Sequence, residues 1–243
     1  KAAPDGYTFF MGAVHHAIAP SMYPKLDYHL ETDFVPVGLI SSVPQVIVVN
    51  PQRIPVTDLK GLLDYARANP GKLNYGSAGN GSAGHPAMEY LKLVTGTFLT
   101  HIRNRGTGPQ LTDLLAGRLD AASVGAPAVM QFIKTGKLRC IATGTTTRIP
   151  QLPDVPTVAE QGYPGFEMTQ WYGMLAPSTL PQAAVDKLAL AAAAAVKQPG
   201  ATDKLSADAA IAVGSTPAEF AKFIAAEQQR WKVVIARAKI KPD

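Results

Sequence analysis

The sequence has little cysteine and little charge: it contains one cysteine, Cys140, among 243 residues, and 17 % of its residues are charged. A single cysteine excludes an intrachain disulfide and a cysteine-based metal cluster. Cys140 lies in the apolar segment 138–142, which predicts a buried strand and an unreactive thiol. The longest apolar run, 188–196, is mostly alanine and is shorter than the roughly 18 residues that a membrane helix needs. We therefore expect a globular protein that does not insert into a membrane.

Histidine is also scarce, and its spacing excludes the common metal and hydrolase motifs. His15 and His16 are adjacent and the other three histidines are isolated, so there is no HExxH motif. We expect two adjacent histidine side chains to point in different directions, which disfavours a shared metal. Neither Ser77 nor Ser82 stands in the Gly-x-Ser-x-Gly pattern of a nucleophile elbow. The sequence therefore predicts no metal centre and no serine hydrolase.

Positive charge exceeds negative charge only modestly. The 23 lysines and arginines against 18 acidic residues leave a net charge of +5, and the basic residues are scattered along the chain. Nucleic-acid-binding surfaces cluster such residues on one face, whereas the densest basic patch here is only 103–105. These features favour a small anionic ligand and predict no binding to nucleic acid.

Short apolar runs alternate with stretches of helical periodicity, which is typical of an α/β fold. Thr57 is the predicted N-cap of the first helix, and Gly96 is the predicted stop of the second. Thr216 and Glu219 form a capping box before the last helix. The predicted strands are 7–11, 44–50, 72–76, 98–102, 119–124, 138–143 and 166–176, and the predicted helices are 57–68, 86–95, 127–135, 181–197 and 217–237, with a further helix around 111–115.

The glycine-rich segment 76–86 follows a predicted strand and opens a predicted helix, with Pro86 as the expected first helical residue. Unpaired backbone N–H groups and the positive end of the helix dipole meet at such a junction, which makes it an anion site. Ser77, Asn80 and Ser82 can add side-chain hydrogen bonds. The alternative is a flexible turn capped by serine or histidine.

The same segment satisfies the dinucleotide fingerprint as Gly79-x-Gly81-x-x-Gly84. That fingerprint needs an acid at the end of the next strand, but 100–105 contains no carboxylate. Arg103 or Arg105 could hold a 2′-phosphate instead. An NADP-dependent oxidoreductase therefore stays open as an alternative function.

Two further strand-to-loop junctions, 11–20 and 103–109, carry anion-compatible donors without an acid–base pair. In the second, guanidinium groups could contact a carboxylate with paired hydrogen bonds. Several such loops predict a binding cleft and not a catalytic site.

Motifs in the same order along nearly the whole chain resemble the receptor family of tripartite tricarboxylate transporters, also called the Bug or TctC-like family. The motifs are KAAPDGYT (1–8), DFVPV (33–37), LNYGSAGNGS (73–82), LTDLL (111–115), GKLR (136–139) and LPDVPTVAE (152–160).

The resemblance implies an α/β, two-lobe fold like the type II periplasmic binding proteins, with two crossovers between the lobes. Lobe 1 would comprise 1–49 and 172–243, and lobe 2 would comprise 50–171. It implies a periplasmic, monomeric solute-binding protein that captures a small carboxylate between the lobes and delivers it to the membrane subunits of the transporter. It implies neither catalysis nor a cofactor. A sensory ligand-binding module of the same fold is the alternative.

The family's ligand loops map onto two parts of this chain by position. The expected ligand-binding residues are Ala13, Val14, His15, His16, Ser77, Ala78, Gly79, Asn80, Gly81, Ser82, His85, Arg105 and Gly125.

The chain departs from the family pattern in three places. Relatives carry an export signal, a first strand and a Pro/Gly-rich ligand loop ahead of the position of Lys1, so we expect part of lobe 1 to be missing. Relatives commonly have Tyr-Lys-Gly where this chain has 104–106, Asn-Arg-Gly. Many have Asp-Asn before an apolar residue and proline, where this chain has 124–127, Val-Gly-Ala-Pro. Because the acid that could pair with an ammonium group is absent at Val124, we expect a ligand without an amine: an aliphatic or aromatic mono- or dicarboxylate.

Overall fold

A computed structural model describes residues 7–207 and 209–240. Strands and helices alternate through most of this part of the chain. The strands are β1 (Phe10–Ala13), β2 (Phe34–Val49), β3 (Asn74–Ser77), β4 (Thr100–Arg103), β5 (Ala121–Gly125), β6 (Arg139–Thr143), β7 (Thr169–Pro177) and β8 (Ile211–Ala212). The helices are α1 (Val14–Met22), α2 (Leu59–Ala68), α3 (Gly84–Thr95), α4 (Thr107–Leu115), α5 (Ala126–Lys134), α6 (Gln182–Val196), α7 (Pro199–Ala207) and α8 (Pro217–Ala238).

The chain divides into two compact units. Unit 1 comprises 1–42 and 170–236, and unit 2 comprises 43–169 and 237–243. The chain thus passes between the units near residues 42, 169 and 236. The sequence instead predicts that the chain crosses between the lobes after residues 49 and 171, and it assigns the C-terminal residues to the first lobe.

Unit 1 is built on an antiparallel arrangement of strands. β1 pairs antiparallel with β7, Phe10 lying opposite Leu175, and β7 neighbours β2. Ser41 and Ser42 of β2 pair antiparallel with β8. Helix α8 buries one apolar face, which includes Phe220, Ile224, Trp231, Val234 and Ile235.

A buried carboxylate joins β7 to α8 within unit 1. The indole Nε1 of Trp171 donates to Glu227 at 3.0 Å, and the indole Nε1 of Trp231 donates to the same oxygen at 3.2 Å. Both tryptophans are at most 1 % exposed, so these bonds satisfy indole N–H groups that water does not reach.

Unit 2 holds the parallel part of the fold. β3 pairs parallel with β4 on one side and with β5 on the other. The second half of β2 pairs antiparallel with β5 and with β6. Cys140 of β6 is buried as predicted, and burial raises the pKa of its thiol to about 12. The α/β prediction is confirmed.

Two of the predicted helix signals are confirmed and two are wrong. Gly96 ends α3 with a left-handed φ of 62°, and Thr216 Oγ1 accepts from the backbone N–H of Glu219 while Glu219 accepts from that of Thr216. Thr57 is not the N-cap of α2, because the carboxylate of Asp58 accepts from Gly61 N at 2.7 Å. Pro86 is the third helical residue of α3 and not the first, since the helix already begins at Gly84.

Several elements have no clear signal in the sequence. α1 begins at Val14 directly after β1, with Ala13 as its N-cap residue and Pro20 inside it, whereas the sequence predicts a loop there. α7, the first half of β2 and β8 were not predicted. The expectation that His15 and His16 point apart is wrong, because their ring centroids lie 3.9 Å apart. Over the described residues, no helix combines the length and apolar character needed to cross a bilayer.

Candidate ligand-binding site

The main candidate site lies in unit 2, at the edge of the sheet where the parallel strands end. β3, β4 and β5 run in the same direction, so their last residues, Ser77, Arg103 and Gly125, lie at one edge. Helices α3, α4 and α5 each begin after one of these ends. Ligands of open α/β sheets bind outside the carboxyl ends of the strands.

The three helices that begin at this edge lack side-chain caps. None of α3, α4 and α5 has an N-terminal side-chain hydrogen bond or an acidic residue in its first turn. Asp58 caps α2, and α8 has a capping box with Glu219 in its first turn, whereas α6, in unit 1, also begins without a side-chain cap. The backbone N–H groups and positive dipole ends at the uncapped starts favour an anion.

The glycine loop between β3 and α3 depends on two glycines in conformations that other residues rarely adopt. Gly79 has φ of 134° and Gly81 has φ of 73°. Ser82 Oγ donates to the carbonyl of Gly79 at 2.7 Å, and Ser82 N donates to the same carbonyl at 3.2 Å. Both bonds fold the loop onto itself and engage the carbonyl group of Gly79.

The segment that follows β4 is hydrogen-bonded to the end of β3 and to the glycine loop. Asn104 N donates to Ser77 O at 3.0 Å, and Gly106 N donates to Ala78 O at 3.0 Å. The side chain of Gln110, in α4, is buried and donates to Gly76 O at 2.9 Å. The starts of α3 and α4 are therefore tied to one another through the backbone of β3.

The start of α3 approaches β5 very closely. A Cβ atom at Gly84 would lie 2.3 Å from the carbonyl oxygen of Ser123. Only glycine allows this approach, which places the first turn of α3 against the strand that leads to Gly125.

Three aromatic rings are stacked behind the glycine loop. The ring of His101, in β4, lies 4.8 Å from the ring of Tyr75 and 4.2 Å from the ring of His85, with interplanar angles of 13° and 12°. His101 Nε2 lies 2.6 Å from Ser77 Oγ, and His85 Nδ1 accepts from Gly81 N at 3.3 Å. Two rings of the stack thus make polar contacts with this segment, His101 with Ser77 and His85 with Gly81.

Burial keeps both histidines of this stack neutral. Desolvation lowers the pKa of His85, and it lowers the pKa of His101 to about 4, with the charge of His85 as the second cause. Glu89, which accepts from the Tyr75 hydroxyl and forms an ion pair with Lys92, opposes this lowering for both rings. Over most of the physiological pH range, the imidazole rings of His85 and His101 beside the loop are therefore uncharged.

The predicted residues of unit 1 form a separate strand-to-helix junction. Ala13 ends β1, and Val14, His15 and His16 form the first turn of α1. The side chains of Ala13 and Val14 are buried, so only their backbone groups can contact a ligand. His16 Nδ1 accepts from Ala13 N at 3.0 Å, and burial followed by the charge of His15 lowers the pKa of His16 to about 4.

The structure places most of the predicted unit 2 residues together. Arg105, which is exposed, and Gly125, the N-cap residue of α5, lie at the same edge of the sheet as the predicted residues in and beside the glycine loop. These are Ser77, Ala78, Gly79, Asn80, Gly81, Ser82 and His85. Ser77 is fully buried and bonded within the protein, so its hydroxyl acts on the loop and not on a ligand.

His101 is a site residue that the sequence patterns did not indicate. It stands two residues before Arg103, the arginine that ends β4 and that the sequence suggests as an anion ligand. The register Tyr75 opposite His101 in the parallel β3–β4 pair would identify it, because such a pair places both rings on the same face. Among the described residues, no group of three or more His, Cys, Asp or Glu could hold a metal ion.

Comparisons with known proteins identify the family of this chain. The family model described as tripartite tricarboxylate transporter family receptor matches residues 1–240. Protein BugT of Bordetella pertussis is 33 % identical over 237 residues, which are 97 % of this chain and 72 % of that protein.

Solved structures are similar over all or nearly all of the chain. The structure of R. palustris Rpa4515 with adipate is 34 % identical with a TM-score of 0.93 and covers 100 % of this chain and 81 % of that one. MatC from Rhodopseudomonas palustris with bound malate is 30 % identical with a TM-score of 0.88, covering 96 % of this chain and 81 % of that one.

These likenesses confirm the two-lobe fold of periplasmic binding proteins. They also exclude the oxidoreductase alternative, because the family consists of extracytoplasmic solute receptors that are not enzymes. The chain belongs to the tripartite tricarboxylate transporter receptor family.

Proposed function

We propose that this protein captures an amine-free mono- or dicarboxylate in the periplasm and delivers it, as a monomer, to the membrane subunits of a tripartite transporter. Units 1 and 2 would serve as the two lobes of the receptor. The observation that carries the proposal is the edge of unit 2 where α3, α4 and α5 all begin without side-chain caps.

The ligand's carboxylate would take its hydrogen bonds mainly from backbone N–H groups at these helix starts other than those of Gly79, Gly81 and Ser82, which already donate within the protein. Gly79 and Gly81 let the backbone of the loop approach a ligand without a side chain in the way, and Ser82 is only partly buried. Arg105, exposed at the same edge, would add a charged donor. For unit 1, the proposed ligand-binding segment is the start of α1, from Val14 to His16, because the N–H of Ala13 already donates to His16 Nδ1.

The preference for a ligand without an amine rests on the residues that surround these donors. The segments 76–86, 103–109 and 123–127 contain no acidic residue. Val124 is apolar and 4 % exposed, and the nearby carboxylate of Asp113 already accepts from Asn104 and Arg118. An ammonium group would therefore find no partner here. Adipate and malate, which similar proteins carry in their structures, are both dicarboxylates without an amine.

A calorimetric screen on the intact chain tests the proposal. We expect adipate, malate or benzoate to bind with a single site and at least about tenfold more tightly than aspartate or glutamate, which is a difference of about 1.4 kcal/mol. Tighter binding of either amino acid would refute the amine-free assignment. Absence of binding to every carboxylate tested would refute the receptor function itself.

A further inference from the structure

The ring of His85 is a structural part of the glycine loop. Its Nδ1 accepts a hydrogen bond from Gly81 N at 3.3 Å, and its own backbone N–H donates to Ser82 O at 3.0 Å. The residue is only 6 % exposed. His85 therefore contacts the loop from its inner side, at the residue with φ of 73° on which the loop conformation depends.

This contact requires one tautomer of His85. A ring nitrogen that accepts from a backbone N–H carries no proton, so the single proton of the neutral ring lies on Nε2. A second proton can enter only at Nδ1. It would turn the acceptor into a donor that faces the donor of Gly81, and the loop would lose this attachment.

The remaining neighbours of His85 set the balance of charge around it. His101 stacks on its ring and would repel it if both were protonated, whereas the carboxylate of Glu89 favours protonation. The titratable or charged groups that face this stack are His101 and Arg103 from β4, Tyr75 from β3, and Glu89 and Lys92 from α3.

We propose that His85, in its neutral form and backed by His101, is a positioning residue that holds the glycine loop in its ligand-binding conformation, so that acidification releases the ligand. The proposal rests on the receptor function proposed above. His85 would act through the loop and would not itself bind the carboxylate.

The direction of the pH effect follows from the contacts. Burial lowers the pKa of His85 below its ordinary value, so the ring is neutral at pH 7 and above and becomes charged as the pH falls. Because the loop conformation that binds ligand needs the neutral ring, affinity should be constant at neutral pH and should decrease on acidification. A histidine that contacted the carboxylate directly would show the opposite trend, since its positive charge would strengthen binding.

The test compares adipate affinity of the wild type with that of two variants between about pH 7.5 and pH 5. His85→Asn keeps an acceptor near the Nδ1 position but does not titrate, so we expect affinity near that of the wild type at pH 7.5 and a flatter pH profile. His85→Phe keeps the stacked ring but removes the acceptor, so we expect roughly tenfold weaker binding at pH 7.5. Ionisation of adipate affects all three proteins equally. His29→Asn, at an exposed histidine of unit 1, is the control and should match the wild type.

The outcomes separate this inference from the proposed function. Identical pH profiles for the wild type and His85→Asn, or tighter binding of the wild type at low pH, would overturn the positioning role while leaving the receptor function intact. A second measurement needs no ligand: a nitrogen NMR spectrum should show His85 with its proton on Nε2, and the Gly81 amide signal should move with the titration of His85. A proton on Nδ1 at pH 7.5 would overturn the inference even if no carboxylate bound.

Discussion

Units 1 and 2 each place a histidine near the start of a helix that follows a strand, and each histidine accepts a backbone N–H through Nδ1. In unit 1, β1 continues directly into α1, and His16 accepts from Ala13 only three residues before it. In unit 2, a six-residue loop separates β3 from α3, and His85 accepts from Gly81 within that loop.

The residue at the first helical position explains much of this difference. In α1 it is Val14, whose side chain is fully buried, and the junction is further packed by aromatic rings: Phe10 lies 4.6 Å from the ring of His16. In α3 it is Gly84, which has no side chain and lies against Ser123. The unit 1 junction is thus packed by a buried valine and aromatic rings, whereas in unit 2 glycine lets the helix start lie against β5 and His85 accepts from the loop itself.

The largest expected effect concerns the ability of the unit 2 loop to accept an anion. Ser82→Asp would place a carboxylate at the start of α3, in competition with the ligand, and we expect at least about 100-fold weaker binding of adipate, or about 2.7 kcal/mol. Ser82→Asn is the control of equal size and should bind far more tightly than Ser82→Asp. Calorimetry measures both. Equal affinities of the two variants would show that the anion site lies elsewhere.

The next effect concerns the close approach that distinguishes α3 from α1. Gly84→Ala would bring a Cβ to 2.3 Å from Ser123 O, and overpacking of this kind costs about 1–3 kcal/mol in the free energy of unfolding. Gly108→Ala is the control, because a Cβ at this first-turn position of α4 would meet nothing within 4 Å. Denaturant unfolding followed by circular dichroism compares the two. If Gly84→Ala were as stable as Gly108→Ala, the close packing of α3 on β5 would be wrong.

The smallest effect concerns the pH dependence of unit 1. His16 is neutral in the folded protein because its pKa is about 4, whereas in the unfolded chain its pKa returns to 6.5. The unfolded state therefore binds more protons between these values, so the stabilising contribution of neutral His16 is complete above pH 6.5 and is lost as the pH falls toward 4. His16→Asn keeps an acceptor for Ala13 N and does not titrate, so its stability should decrease less over this range. Thermal unfolding at several pH values measures the difference, and parallel curves for the two proteins would contradict the prediction.

Much of unit 2 was predictable because its signals are local. Alternating apolar runs predict β3 to β6, and Gly96 predicts the end of α3 from its own backbone preference. The glycine loop is visible in the sequence for the same reason, since Gly79 and Gly81 stand where positive φ is needed. Unit 1 was harder to predict. α1 begins with a buried valine and contains Pro20, and its N-cap residue Ala13 gives no capping signal in the sequence, so the packing of Val14 and Ile18 and the contact of His16 with Ala13 N stabilise it instead.

The sequence by itself determined the α/β class, the family and the segment that forms the glycine loop, because periodicity, motif order and glycine content act through neighbouring residues. Only the tertiary structure decided which groups the loop depends on. His101 comes 20 residues after Gly81, and the parallel pairing of β3 with β4 brings it under the loop beside His85. Burial in that stack then decides the charge of both rings, since desolvation is a property of the packed surroundings and not of the residue.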